Sequence, residues 1–155
     1  MSRLTQIPIH IEPARIDPTA AVGGLGGGVA AILSELVTLL ERLAARDEPA
    51  MIDLRSLPMG PQDRVELQRA LGDGEVQATV DAQGLSHIRE TGVPGLWWVE
   101  HRDAQGDLVA EMIEVCRVPL ILESASDEIA SGARALRERI ATAAAPAAGE
   151  TYVTQ

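Results

Sequence analysis

One cysteine, three histidines and a scatter of carboxylates are the side chains in this 155-residue chain with the chemistry to hold a metal or attack a substrate. Their spacing gives that chemistry little to work with. An iron–sulfur cluster or a structural zinc needs several thiolates, and Cys116 is a single one. His87 and His101 fall in neighbouring apolar runs, where a weak His–His–carboxylate site completed by Glu114 is conceivable; histidines on the wet side of a strand are the commoner meaning. A thiol nucleophile requires a base beside it in a cleft. Cys116 instead follows Val115 in an apolar run and reads as a small buried hydrophobe. No Ser-His-Asp series or paired acids stand out. The sequence assigns no catalytic residue, no metal ligand and no cofactor site, and the expectation is a protein that is not an enzyme.

A glycine run, Gly23-Gly24-Leu25-Gly26-Gly27-Gly28, formally contains the G-x-G-x-x-A spacing of a dinucleotide loop through Gly26, Gly28 and Ala31. The context does not fit. A segment punctuated by Pro8, Pro13 and Pro18 precedes it where a buried strand is required, and no β-α-β unit follows. The run reads as a hinge.

The tryptophans are more informative. Trp97 and Trp98 are adjacent in a β-like run, so they point to opposite faces. Trp97 shares a side with Val99 and is assigned to the core. Trp98 shares a side with Leu96, Glu100 and Arg102, a mixed face that reads as solvent-exposed. Those four residues are the candidate partner-binding site, because an exposed tryptophan beside Leu and Arg has the composition of an interface anchor. The alternative is that the proline-rich arm or the last helix covers Trp98 within one chain.

The elements that would position these residues centre on Leu71 to Leu122. Turn signals at Gly72 to Gly74, Asp81 to Gly84, Gly92 to Gly95 and Asp103 to Asp107 divide it into about four short runs, an antiparallel meander. In the first run Val76, Ala78 and Val80 form a dry side and Glu75, Gln77, Thr79 and Asp81 a wet one. A bulge near Met112 would reconcile the phases of Ala110 and Met112 with those of Ile113 and Val115. Glu90, in phase with Ile88, either stays wet at the sheet edge or pairs with an arginine such as Arg117. Helices are expected at 29–45, from the stripe Val29, Ile32, Leu33, Leu36, Leu39, Leu40 and Leu43; at 61–71, between a first-turn Pro61 and a stop at Gly72; and at 124–142, opened by a Ser124/Asp127 capping box. Arg134, Arg137 and Arg139 sit late in that last helix, where cations suit the dipole. Met51 to Leu54 reads as a short strand.

Composition narrows the class. The net charge of −10 argues against nucleic acid, since phosphate binding needs a basic stripe. No apolar run reaches membrane-spanning length and no signal-peptide pattern opens the chain, so the expectation is a cytoplasmic protein.

The ordered series L-G-D-G-E-V, S-H-I-R-E-T, P-G-L-W-W-V and I-E-V-C-R-V-P, extended upstream through IDLRSLPMGPQDRVEL, resembles the HupH/HyaF-type hydrogenase expression/formation proteins, accessory factors of [NiFe]-hydrogenase maturation. The resemblance covers about two thirds of the chain. It implies an assembly or chaperone-like role, often linked to the iron-sulfur small subunit, and it brings no catalytic residues with it. Members of that family typically carry the module twice, and this chain has room for one copy. It is therefore either a fragment or a short member that pairs with itself.

The resulting expectation is an α+β domain of two layers: a mostly antiparallel sheet of about five strands, with helices packed mainly on one face. Residues 1–28 would be a flexible arm and hinge, 29–142 a single domain and 143–155 a disordered tail. Its function would be non-enzymatic, binding a hydrogenase subunit intermediate or another maturation factor. A homodimer is expected, closed through the Leu96–Trp98 face and an open strand edge. An enzyme or carrier holding a metal or small ligand against the sheet is the alternative.

Overall fold

The computed structural model describes residues 26–82 and 84–144. Most of the proposed arm and of the proposed tail lies outside those residues. The described chain runs α1 (Gly27–Arg46), β1 (Ala50–Asp53), α2 (Pro61–Leu71), β2 (Asp73–Asp81), β3 (Leu85–Thr91), β4 (Leu96–Arg102), β5 (Leu108–Val115), a 3-10 turn (Leu120–Leu122) and α3 (Ser126–Ala144). It divides into two compact units at Arg117/Val118. Each unit is described by itself.

The first unit is an α+β arrangement around a five-stranded, wholly antiparallel sheet of order β1-β5-β4-β3-β2. The four meander strands follow the turn signals. β1 joins at the far side of β5, because its Ala50–Asp53 pairs with Val115–Met112. One row of cross-strand partners shows how the faces are built: Gln77, Arg89, Trp98, Ile113 and Ile52 stand in line across the sheet. Cross-strand partners share a face. The row is therefore polar at the β2 end and apolar at the β1 end.

Helices α1 and α2 stand on the apolar end of that face. Val29, Ile32, Leu36 and Leu43 of α1 and Leu67 and Leu71 of α2 form one core cluster with Ile52, Leu54, Leu96, Trp98, Ile113 and Val115. The α1 stripe has the predicted residues, and the helix begins at Gly27, so the last two glycines of the expected hinge lie in its first turn. It ends at Asp47, left-handed at φ 56°, whose N–H donates to Leu43 O at 2.9 Å. α2 spans the predicted 61–71: Asp63 Oδ2 accepts from Gly60 N at 2.7 Å at its start, and Gly72, with φ 67°, stops it. An ion pair ties α2 to the sheet. Arg64 Nε donates to Glu111 Oε2 at 2.7 Å, and Glu111 is only 5% exposed.

Trp98 is therefore in the core, not on the surface. It is 2% exposed and Leu96 is 1% exposed, which removes both from the candidate partner site and from any dimer contact. Covering is the physical reason: α1 and α2 close over the apolar end of the row in which Trp98 stands. Trp97, on the other face, is also buried, and its Nε1 donates to Cys116 O at 3.2 Å. The helices do not cover the Val76/Ala78/Val80 side of β2. That side is in phase with Ile88, Val99 and Trp97, opposite to α1 and α2. Nor is there a bulge at Met112, which keeps continuous register with Asp53 and Val99; the shift in β4–β5 falls between His101 and Arg102.

In the second unit, α3 starts at Ser126, two residues after the expected cap. Glu128, not Asp127, reaches back, accepting from Ala125 N at 3.0 Å. Its side chains from Ser126 to Ala143 are exposed throughout.

Both tryptophans then carry the sheet's stability. Trp97→Ala and Trp98→Ala should each cost about 3–5 kcal/mol in urea unfolding. The phenylalanine variants should separate them: Trp97→Phe loses a hydrogen bond worth about 0.5–1.5 kcal/mol, whereas Trp98 Nε1 has no acceptor among the described residues and Trp98→Phe forfeits none.

Candidate partner-binding face

Where the helix layer stops, the same face of the sheet turns polar. Gln77 and Thr79 of β2, His87 and Arg89 of β3, and Glu100 and Arg102 of β4 line an open hollow of about 320 Å³. Alternation puts them together. The wet side of β2 is in register with Arg89 and His87, and those with Trp98 and Glu100. Glu100 organises the charges, with Arg89 Nη2 at 3.9 Å and Arg102 Nη2 at 3.6 Å. Arg89 also reaches Asp73 Oδ1 at 3.7 Å, and its guanidinium lies 5.9 Å from the Trp98 ring centroid. The buried tryptophan thus forms the boundary between the dry and wet halves of one face.

Of the four residues proposed from sequence, Glu100 and Arg102 belong to this hollow and Leu96 and Trp98 do not. Gln77, Thr79, His87 and Arg89 were not proposed. Their signal was present in the wet side of β2, but the pairing that brings β3 into phase with it was not.

The two strand histidines do not converge. His87 pairs with Glu100 in the register and His101 with Ser86, so they occupy opposite faces. Ser86 Oγ and His101 Nδ1 share a hydrogen bond of 2.7 Å, while His87 Nδ1 lies 3.5 Å from Thr79 Oγ1. Glu114 stands opposite Trp97, on the His101 side but along the strand from it. No group of three His, Cys, Asp or Glu among the described residues is placed to hold a metal ion. The Cys116 thiol lies 3.8 Å from Glu114 Oε2.

Beside the hollow runs β2, nine residues long and hydrogen-bonded to β3 on one side. Among the described residues no strand pairs with its other side, so that edge presents free backbone donors and acceptors. The edge carries Asp73, Glu75 and Asp81 and is interrupted by a register shift between Asp73 and Gln77. Glu90 Oε2 accepts from Glu75 N at 3.3 Å within that irregular stretch. Arg117, the other partner considered for Glu90, pairs instead with Asp47 at 2.7 Å. Gly74 makes the irregularity possible, since a Cβ there would stand 2.6 Å from Thr91 O.

Comparison with known proteins places this geometry among relatives. Residues 28–143, a span that reaches into both units, match the family described as "HupH hydrogenase expression protein, C-terminal conserved region". The chain is 29% identical over 126 residues to the hydrogenase expression/formation protein HupH of Rhizobium leguminosarum bv. viciae, covering 81% of this chain and 44% of that one. It is 32% identical over 109 residues to the hydrogenase expression/formation protein HoxQ of Azotobacter vinelandii, with 69% and 38% covered. It thus spans less than half the length of these curated relatives. Among solved structures it resembles the hydrogenase expression protein HupH from Thiobacillus denitrificans ATCC 25259, at a TM-score of 0.72 and 38% identity over 76% of this chain and 98% of that one.

Gly74→Ala should destabilise the protein by about 1–3 kcal/mol, because the contact it creates is with a backbone carbonyl that cannot swing away. Amide exchange should show the damage confined to the β2–β3 end, with faster exchange at 75–77 and unchanged protection in β4.

Proposed function

We propose that this chain, which belongs to the HupH hydrogenase expression protein family through that family's C-terminal conserved region, is a non-enzymatic accessory factor that holds a hydrogenase subunit during assembly. The family supplies the process, hydrogenase expression and formation, in the words of its relatives' names. The fold supports a binding role for the exposed face of β2 and β3. The observation that carries it is a nine-residue edge strand, free on one side among the described residues, lying beside a polar hollow.

An extended segment of an unfinished subunit would add to β2 as a further strand. Backbone hydrogen bonds give such a contact affinity without demanding a particular sequence. Gln77 and Thr79 would then meet every second side chain of the added strand. The acidic residues along β2 favour a client segment that is neutral or basic. A finished subunit has its strands paired internally and offers no such segment, which is how a chaperone-like factor tells an intermediate from a product. The iron-sulfur small subunit is the client this reading favours.

Purified small and large hydrogenase subunits in their metal-free forms test the reading directly. The small subunit should bind and slow amide exchange along residues 75–81, and the assembled hydrogenase should not. Gln77→Arg with Thr79→Arg, at two exposed positions, should leave the thermal midpoint unchanged and weaken client binding about tenfold. Failure of both metal-free subunits to bind would remove the accessory role, while binding with no protection on β2 would remove this face from it.

A further inference from the structure

We propose that α3 is a self-pairing helix, and that two copies of this chain associate through it as an antiparallel two-helix contact. The inference stands apart from the client-binding reading, since it uses none of the residues of the sheet.

The helix spans 19 residues, and within its unit the side chains from Ser126 to Ala143 are exposed, Ile129, Leu136 and Ile140 at 61%, 57% and 60%. Ser126, Ile129, Ala133, Leu136, Ile140 and Ala143 follow one another at alternating steps of three and four, the spacing of a coiled-coil seam. The order of sizes along the seam is small, large, small, large, large, small. Laid antiparallel about its centre, it matches itself. Ile129 faces Ile140 of the second copy, Ala133 faces Leu136, and Ser126 faces Ala143. The small Ala133 of each copy is filled by the Leu136 of the other. In a parallel pair Ala133 would meet Ala133 and leave a gap.

Charge selects the same arrangement. The first turn holds Asp127 and Glu128, and the cations Arg134, Arg137 and Arg139 all come later. The dipole does not account for those arginines, because its effect is confined to the last turn and that turn carries no basic residue. Within the helix only Arg134 has an acid three or four residues away, Glu138. In the antiparallel pair, Arg137 lies beside Ala130 of the second copy, one turn from Asp127, and Arg139 lies beside Gly132, one turn from Glu128. Gly132 fits as well. It costs helix stability at an exposed interior position where a Cβ would meet nothing within 4 Å. In the pair its bare backbone lets Arg139 of the second copy lie across the helix.

Sedimentation of the full chain at low ionic strength, from micromolar to roughly 200 μM, tests the proposal, as a short two-helix contact is expected to be weak. The 16.4 kDa chain should show a reversible shift toward twice that mass. Leu136→Glu should abolish the shift. Asp127→Arg and Arg137→Asp should each weaken it about tenfold, and an equimolar mixture of the two should recover it, because each copy then supplies the charge the other lacks. Both of the chain's tryptophans lie in the first unit, so unchanged tryptophan fluorescence shows that these variants leave that unit folded. A chain that stays monomeric at the highest concentration overturns the proposal, and so does a dimer indifferent to Leu136→Glu. A mixture that fails to recover association, with helix content retained by circular dichroism, overturns the antiparallel arrangement.

Discussion

Because β4 lies between β3 and β5 in the middle of the sheet, its adjacent tryptophans are driven to opposite faces, and both faces must be dry at that point. Residues 96–99 are buried in succession, which ordinary one-sided strands are not. The other strands are arranged around this constraint. On one face Leu96 and Trp98 recruit Ile113 and Val115 from β5 and Ile52 from β1, and these form the floor on which α1 and α2 pack. On the other face Val99 and Ile88 are both fully buried, beside Trp97. A strand carrying one tryptophan would need one covering layer; this one needs both sides closed.

The helix layer is narrower than the sheet. Its margin is set on one side by the apolar cluster and is pinned by Arg64, which crosses from α2 to Glu111. A buried carboxylate without a partner costs several kcal/mol, so the pair fixes where α2 can sit even if it adds little net stability. Beyond that margin the face continues as Gln77, Thr79, His87, Arg89 and Glu100, still in register but wet. Arg89 marks the transition, stacking toward Trp98 while its charge is shared between Asp73 and Glu100. One sheet face thus serves two purposes, a core under the helices and a surface beside them.

The elements were legible in sequence where a local rule determined them. The stripe of α1, Pro61 and Gly72 around α2, and the turns of the meander all depend on residues within a few positions of one another. Pairing does not. Nothing local to Trp98 says that Ile113 will stand beside it, or that β1 will return to the far side of β5, so its mixed neighbours Glu100 and Arg102 read as a surface. The same gap left a joint site of His87 and His101 conceivable when register separates them, and it offered Glu90 water or an arginine in place of the Glu75 N–H that it accepts. The candidate face was half legible, since the wet side of β2 was read correctly and its partners in β3 were not.

The edge of β2 illustrates why such a face can exist without making the protein sticky. An open strand of nine residues is a hazard, and three features restrain it: charge at Asp73, Glu75 and Asp81, the register shift near Gly74, and the carboxylate of Glu90 turned onto the Glu75 N–H. None of these closes the edge. Like-charged edges repel a second copy of β2, so the strand is protected from itself, while a neutral or basic segment meets no such repulsion. A surface that rejects its own kind and tolerates an unlike strand is selective before any side chain is read. That is the property this edge needs if it is not to pair with the same edge of a second copy and is still to engage an unfinished partner.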